Sequence, residues 1–76
     1  MEYLENPVKC ICVNDSGKPN EIKQSNWIVK DHVYNIIAVS HMIISNELGY
    51  KLAEIDTDCP EYPFYKASRF LLVILF

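Results

Sequence analysis

The sequence predicts a small all-β domain, an antiparallel barrel of about five strands, and three observations carry that prediction. The chain has 76 residues, enough for one small domain over residues 1–76. Isoleucine and valine dominate its longest central segment, and β-branched side chains suit a pleated sheet better than a helix. Clusters of Asn, Asp, Ser, Gly and Pro divide the chain into short segments, as expected for strands joined by turns.

Composition excludes several classes of protein. Half of the residues are apolar, and two glycines with four prolines are too few for a collagen-like or disordered chain. The longest apolar run covers residues 70–76, seven residues against the ~20 that a membrane-spanning helix needs. The first residues lack a basic and apolar secretory leader, and the cysteine count of three is odd. We therefore expect a cytoplasmic protein without a membrane segment.

The first half of the chain is predicted to contain two strands around a long irregular loop. Residues 8–13 form the first strand, between Pro7 and the turn-rich residues 14–20. Residues 21–31, around Trp27, are irregular. Residues 33–44 form the second strand, although their length also allows a helix, which is the alternative.

The second half is predicted to contain two further strands and one helical turn. Residues 45–49 form a hairpin turn, because Asn and Gly tolerate a positive φ, and residues 50–55 form the next strand. Two prolines and several acids make residues 56–63 a loop. A short helical turn over residues 65–69 then leads into a final apolar strand over residues 70–76.

Four stretches of the chain, residues 18–22, 27–34, 52–55 and 64–70, together resemble small uncharacterised SH3-like β-barrel proteins of bacteria, phages and mobile elements. The resemblance implies an SH3-like barrel and such an origin, and it implies no particular activity. Asp31 occupies a turn position where that group is expected to carry glycine.

A cluster of aromatic and proline residues is the main candidate binding site. Pro60, Tyr62, Pro63, Phe64 and Tyr65 follow one another closely, and Trp27 joins them if the long loop folds over the same side. Such a rim can hold a proline-rich peptide or stack on nucleic-acid bases. The alternative is that Trp27 and Phe64 are core anchors, whereas the tyrosines are expected to be exposed.

Two further candidate sites involve Arg69 and the C-terminal strand. Arg69 either meets an acidic group of a partner or pairs with Glu54 or Asp58 of its own chain. Alternation along the last strand places Leu72 and Ile74 on one face, and the opposite face is equally apolar. So small a barrel cannot cover both faces, so a second copy or another protein is expected to cover this strand, with Leu72 and Ile74 in the contact. The alternative is a tail that is covered entirely within its own chain.

Catalysis and metal binding are not predicted. Cys10 and Cys12 alternate on one face of a strand and are expected to be small buried hydrophobes. Together with Cys59 and one histidine (His32 or His41) they offer an alternative zinc set, but they lack the Cys-x-x-Cys spacing. Cys59 lies among acids that raise a thiol pKa, which disfavours a nucleophile. His41 is expected to be structural, either solvent-facing or hydrogen-bonded.

The sequence therefore predicts a non-catalytic interaction module without cofactor or metal. It would bind a protein or peptide through the aromatic rim or the C-terminal strand. The alternative is a nucleic-acid-binding accessory protein of a phage or mobile element, which would use lysines and Arg69 beside exposed aromatics. A net charge of −3 disfavours that alternative, because phosphates repel an acidic chain.

Overall fold

A five-stranded antiparallel sheet forms the structure, a computed structural model that describes residues 1–43 and 45–73. The strands lie in the spatial order β4-β3-β2-β1-β5, and the sheet curls into a half-barrel. Their bounds are β1 Glu2–Cys12, β2 Val33–Met42, β3 Glu47–Leu52, β4 Tyr65–Lys66 and β5 Phe70–Leu72. Within the described residues the only helical elements are two 3-10 turns, Gln24–Asn26 and Ala67–Arg69. The prediction of an all-β fold with five strands is confirmed, and no helix in these residues is long and apolar enough to cross a membrane.

The two long strands, β1 and β2, form the centre of the sheet. Tyr34, Ile36 and Ala38 of β2 are buried in alternation, so the predicted strand is confirmed and the helical alternative is wrong. β1 begins six residues earlier than predicted, because residues 2–7, of which only Leu4 is partly buried, extend its pairing with β2. The register shifts between Tyr3 and Val8, a stretch that contains Pro7, which has no backbone N–H for a regular ladder.

The hairpin between β2 and β3 is shorter than predicted. Asn46 adopts a φ of 54°, as its turn chemistry predicts, but β3 already begins at Glu47 and places Gly49 inside the strand. Gly49 is needed there for a different reason: a Cβ at this position would lie 2.7 Å from the Cβ of Phe64. The side chain of Phe64 therefore reaches the sheet only because Gly49 has none.

The predicted helical turn is confirmed over three residues, Ala67–Arg69. Tyr65 and Lys66 belong instead to β4, because they pair with Tyr50 and Gly49 of β3. The turn connects the two outer strands, so β5 returns to pair with β1, with Leu72 opposite Cys10. Of the predicted last strand, residues 74–76 lie outside the described residues.

The core combines one face of the sheet with the long loop of residues 13–32. Cys10 and Cys12 of β1 are fully buried, and the loop covers them with Ile22, Trp27 and Ile28. Asp31 ends this loop at a φ of 73°, a left-handed conformation that glycine adopts most easily. This is the position at which the SH3-like resemblance predicts glycine.

Candidate binding cleft

The long loop lacks regular strands but is held by side chains at defined points. The Trp27 indole N–H donates to the Asp15 carbonyl at 2.7 Å, and the Tyr65 hydroxyl donates to the Asn26 carbonyl at 2.6 Å. The Lys18 ammonium donates to the carbonyls of Pro19 and Ile22. Backbone groups that a loop leaves without a ladder partner are thereby satisfied.

Arg69 joins the 3-10 turn to the beginning of this loop. Its Nη1 donates to the carbonyls of Ser16, at 2.6 Å, and Asn14, at 3.3 Å. Its Cζ lies 5.0 Å from the ring centroid of Trp27, a distance at which a cation is attracted to an aromatic ring.

The predicted pairing of Arg69 with Glu54 or Asp58 is wrong. The ion pairs in the described part of the chain are Lys51 with Asp56 and Lys66 with Glu47. Both carboxylate oxygens of Glu54 instead accept hydrogen bonds from Asn35. The carbonyls of the loop and the ring of Trp27 hold Arg69 away from those carboxylates.

A cleft of about 290 Å³ lies between the long loop and the segment over residues 61–66. The predicted aromatic rim meets here, because the long loop folds over the same side of the sheet as the Tyr62–Tyr65 segment. Five of the predicted binding residues line the cleft: Trp27, Tyr62, Phe64, Tyr65 and Arg69. The other lining residues are Gly17, Pro19, Ile22, Met42, Glu61, Pro63 and Lys66.

The aromatic residues of the cleft differ in exposure. Tyr62 is 42% exposed, as predicted, but the expected exposure of Tyr65 is wrong, because it is only 3% exposed. Its ring centroid lies 5.9 Å from that of Trp27, and burial raises the pKa of its phenol. Trp27 is buried in the core and Phe64 is partly buried, so these two residues both anchor the fold and line the cleft.

Sequence reasoning missed three apolar residues that line the cleft, Pro19, Ile22 and Met42. Pro19 and Ile22 belong to the long loop, and only the folding of that loop onto the sheet brings them to Tyr62. Met42 lies at the end of β2, beside Gly49. The apolar Ile22 within a polar stretch of this loop is a local signal that this part of the loop is buried.

The C-terminal strand lies outside the cleft. Leu71 is 62% exposed and Leu72 is 49% exposed, so both faces of β5 present apolar surface. Ile74, the other predicted contact residue of this strand, lies outside the described residues. The predicted binding residues thus belong to two separate surfaces.

The three cysteines are not activated as nucleophiles. Burial raises the pKa of the Cys10 thiol to about 11, and burial also raises that of Cys12. The Cys59 thiol donates to the Glu61 carboxylate at 3.1 Å, which raises the pKa of Cys59 and lowers that of Glu61. The predicted effect of acidic neighbours on Cys59 is confirmed.

The residues of the alternative zinc set are not brought together. Residues 1–43 and 45–73 contain no group of three or more His, Cys, Asp or Glu side chains suited to a metal ion. Cys10 and Cys12 are buried, whereas His32 and His41 are exposed. The Nε2 of His41 lies 3.0 Å from Asn46 Oδ1, so this histidine is both exposed and hydrogen-bonded, as predicted.

No protein-family model, curated protein or solved structure matches this chain. The resemblance to SH3-like barrels therefore stays a prediction. What the chain does has to be inferred from the geometry of its surfaces, and the cleft is the surface where aromatic, apolar and charged side chains converge.

Proposed function

We propose that this chain is a non-catalytic interaction module that binds an extended segment of a partner protein in the aromatic cleft. The observation that carries the proposal is the convergence of Trp27, Tyr62 and Phe64 from distant parts of the sequence on one cleft. Peptide-binding sites commonly combine apolar and aromatic walls with a few polar groups that fix orientation. In this cleft Glu61, Lys66 and Arg69 supply those polar groups.

Three aromatic residues of the cleft are held in place by contacts within the protein itself. Trp27 is fixed by its hydrogen bond to Asp15, and Tyr65 by its hydrogen bond to Asn26. Phe64 packs on Gly49, where no side chain separates it from the sheet. A preformed site loses little conformational entropy on binding, which favours affinity for a short peptide.

A peptide suits the charge of the cleft better than a nucleic acid does. Two of the cations near it are already engaged, since Lys18 donates to backbone carbonyls and Lys66 pairs with Glu47 at 3.6 Å. Glu61 adds a negative charge to the lining, and the chain carries a net charge of −3. A nucleic acid gains most of its affinity from phosphate contacts, for which several available cations are needed.

The C-terminal strand is the second candidate surface, for association with a second copy of the chain. Ile11 lies opposite both Val33 and Leu71, so three apolar side chains form one row across β2, β1 and β5. Val33 and Leu71 are exposed. A Leu71→Glu variant that lowers the solution mass from dimer to monomer, measured by light scattering, would support this contact; a monomeric parent chain would exclude it.

The cleft is tested by selecting random 12-residue peptides on the full chain and measuring their affinities. Trp27 is the only tryptophan and lines the cleft, so its fluorescence reports binding directly. We expect Tyr62→Ala to weaken the selected peptides roughly tenfold or more, because aromatic anchors dominate such contacts. Tyr3→Ala is the matched control, since Tyr3 is 66% exposed and lies outside the cleft.

Two results would contradict the proposal. One is the absence of any selected peptide whose affinity depends on Tyr62. The other is equal weakening by Tyr62→Ala and Tyr3→Ala, which would indicate binding away from the cleft.

A further inference from the structure

The guanidinium of Arg69 has donors that the protein itself does not use. An arginine carries five N–H donors, and Nη1 of Arg69 accounts for the two hydrogen bonds to the loop carbonyls. Among residues 1–43 and 45–73, neither its Nη2 nor its Nε has a hydrogen-bond partner. These two nitrogens form the edge of a guanidinium that binds a carboxylate through two parallel hydrogen bonds.

The guanidinium of Arg69 lies beside Gly17, and both residues line the cleft. A Cβ built on Gly17 would lie 3.8 Å from Nη2, an ordinary van der Waals distance. Arg69 is only partly buried, so a ligand in the cleft can reach its unpaired donors.

The charge of Arg69 is also not neutralised by a carboxylate in the described part of the chain. The ring of Trp27, whose centroid lies 5.0 Å from Cζ, attracts this charge but supplies no negative charge that would neutralise it.

We infer that Arg69 binds a carboxylate of the partner segment, so the ligand is a peptide with an acidic residue next to an apolar one. This inference rests on the proposed function of the cleft. The apolar neighbour of the acid contacts Trp27 and Tyr62 while the acid reaches Nε and Nη2. Glu61, at the part of the cleft near Tyr62, repels a second acid, so one acidic residue per bound segment is expected.

The contribution of the peptide's carboxylate to binding is tested with the peptides selected for the cleft. Replacing their Asp or Glu by Asn or Gln is expected to weaken binding to the parent chain roughly tenfold or more, since hydrogen bonds to charged groups are the stronger ones. Arg69→Lys keeps the charge but loses the planar edge. In this variant the ratio of the affinities of acid and amide peptides is expected to shrink severalfold.

Lys66→Gln is the matched control, because Lys66 is the other exposed cation of the cleft and carries a single point charge. It is expected to keep the ratio between acid and amide peptides. If acid and amide peptides bind equally well to Lys66→Gln but still differ on Arg69→Lys, the assignment to Arg69 is overturned. The swap on the peptide leaves the protein untouched, so equal affinities of acid and amide peptides would overturn the carboxylate even if Arg69→Lys does not fold.

The outcomes separate this inference from the function on which it rests. Acid and amide peptides of equal affinity, both weakened by Tyr62→Ala, would overturn the carboxylate and leave the peptide cleft standing. Peptides indifferent to Tyr62→Ala would overturn both. A twelve-residue oligothymidylate that displaces the peptides, and whose affinity falls steeply with salt, would assign Arg69 to phosphate instead.

Discussion

The long loop over residues 13–32 and strand β5 differ in how they bury apolar side chains. The loop has only one 3-10 turn of three residues, yet its Ile22, Trp27 and Ile28 are among the buried residues of the core. β5 is a regular strand paired with β1, yet Leu71 and Leu72 are both exposed. A regular strand therefore does not by itself ensure that a side chain is buried, and an irregular loop does not prevent it.

The difference has a physical cause in the polar groups of the backbone. A loop can be buried only when its N–H and carbonyl groups find partners, and side chains from the sheet supply them here. The hydroxyl of Tyr34 accepts from the Val29 amide at 2.9 Å, and Tyr65 and Arg69 donate to loop carbonyls. β5 satisfies its backbone by pairing with β1 and buries Phe70 in the core, but no further layer in the described residues covers Leu71 and Leu72.

Truncating one apolar side chain in each region to alanine is expected to give the largest difference in the free energy of unfolding. Ile28→Ala removes a fully buried loop side chain, and we expect it to lower the free energy of unfolding by about 2–5 kcal/mol. Leu71→Ala, on the exposed strand, is expected to change it by less than about 0.5 kcal/mol. Urea denaturation of both variants measures the difference. Equal losses would show that β5 is as well covered as the loop.

The buried thiols beneath the loop make the free energy of unfolding depend on pH, which provides a second test of how well the loop covers the core. The pKa of Cys10 is raised from 9.0 to about 11, so the folded protein keeps a proton that the unfolded chain releases. The resulting stability is fully present below pH 9 and is lost as pH rises toward 11, at up to ~1.4 kcal/mol per pH unit.

Urea denaturation between pH 8 and pH 11 under reducing conditions measures this loss. In Cys10→Ala the decline with pH is expected to be shallower, although Cys12, whose pKa is also raised, contributes in the same direction. A variant that declines as steeply as the parent chain would show that the loop does not keep Cys10 from water.

The hydrogen bond from Tyr65 to the loop is tested by removing one oxygen. Tyr65→Phe leaves the Asn26 carbonyl without its donor, and we expect it to cost about 1–2 kcal/mol of unfolding free energy. Tyr62→Phe, the control in the exposed part of the cleft, is expected to cost less than about 0.5 kcal/mol. If both substitutions cost the same, the hydroxyl of Tyr65 does not hold the loop.

The smallest expected effect is a gain in the free energy of unfolding from a substitution at the end of the loop. Asp31 has a φ of 73°, so Asp31→Gly relieves backbone strain and is expected to add about 0.5–1 kcal/mol, after the entropy lost with a glycine is subtracted. Asp31→Ala keeps the Cβ and is expected to bring no gain. Thermal denaturation compares the three proteins, and a gain with alanine would contradict the role assigned to φ.

Much of the sheet could be predicted from the sequence because its signals are local. The β-branched residues 33–42 predict β2, and the apolar alternation around Cys10 predicts the inner face of β1. The ends of a strand were less predictable where they depend on hydrogen bonds to a neighbouring strand. β1 extends to Glu2 through contacts with β2, and no property of residues 2–7 alone indicates them.

The aromatic residues of the cleft were predictable from the sequence, but their contacts were not. The aromatic and proline density around Tyr62 singled out the right segment, whereas the burial of Tyr65 depends on Trp27 and Asn26, far away in sequence. The partner of Arg69 was predicted by charge alone. Arg69 donates to the carbonyls of Asn14 and Ser16 rather than to a carboxylate, because the fold holds its guanidinium beside Trp27.

The span of the Arg69 contacts also sets the order in which the molecule can form. Its two carbonyl partners lie 53 and 55 residues earlier in the chain, and β5 pairs with the first strand. On a ribosome, the long loop emerges well before the residues that hold it. Contacts between such distant positions slow folding, since loop-closure entropy is lost before they form. The cleft is therefore among the last features of this fold to appear, and a nascent chain lacks the complete cleft until Arg69 has left the ribosome.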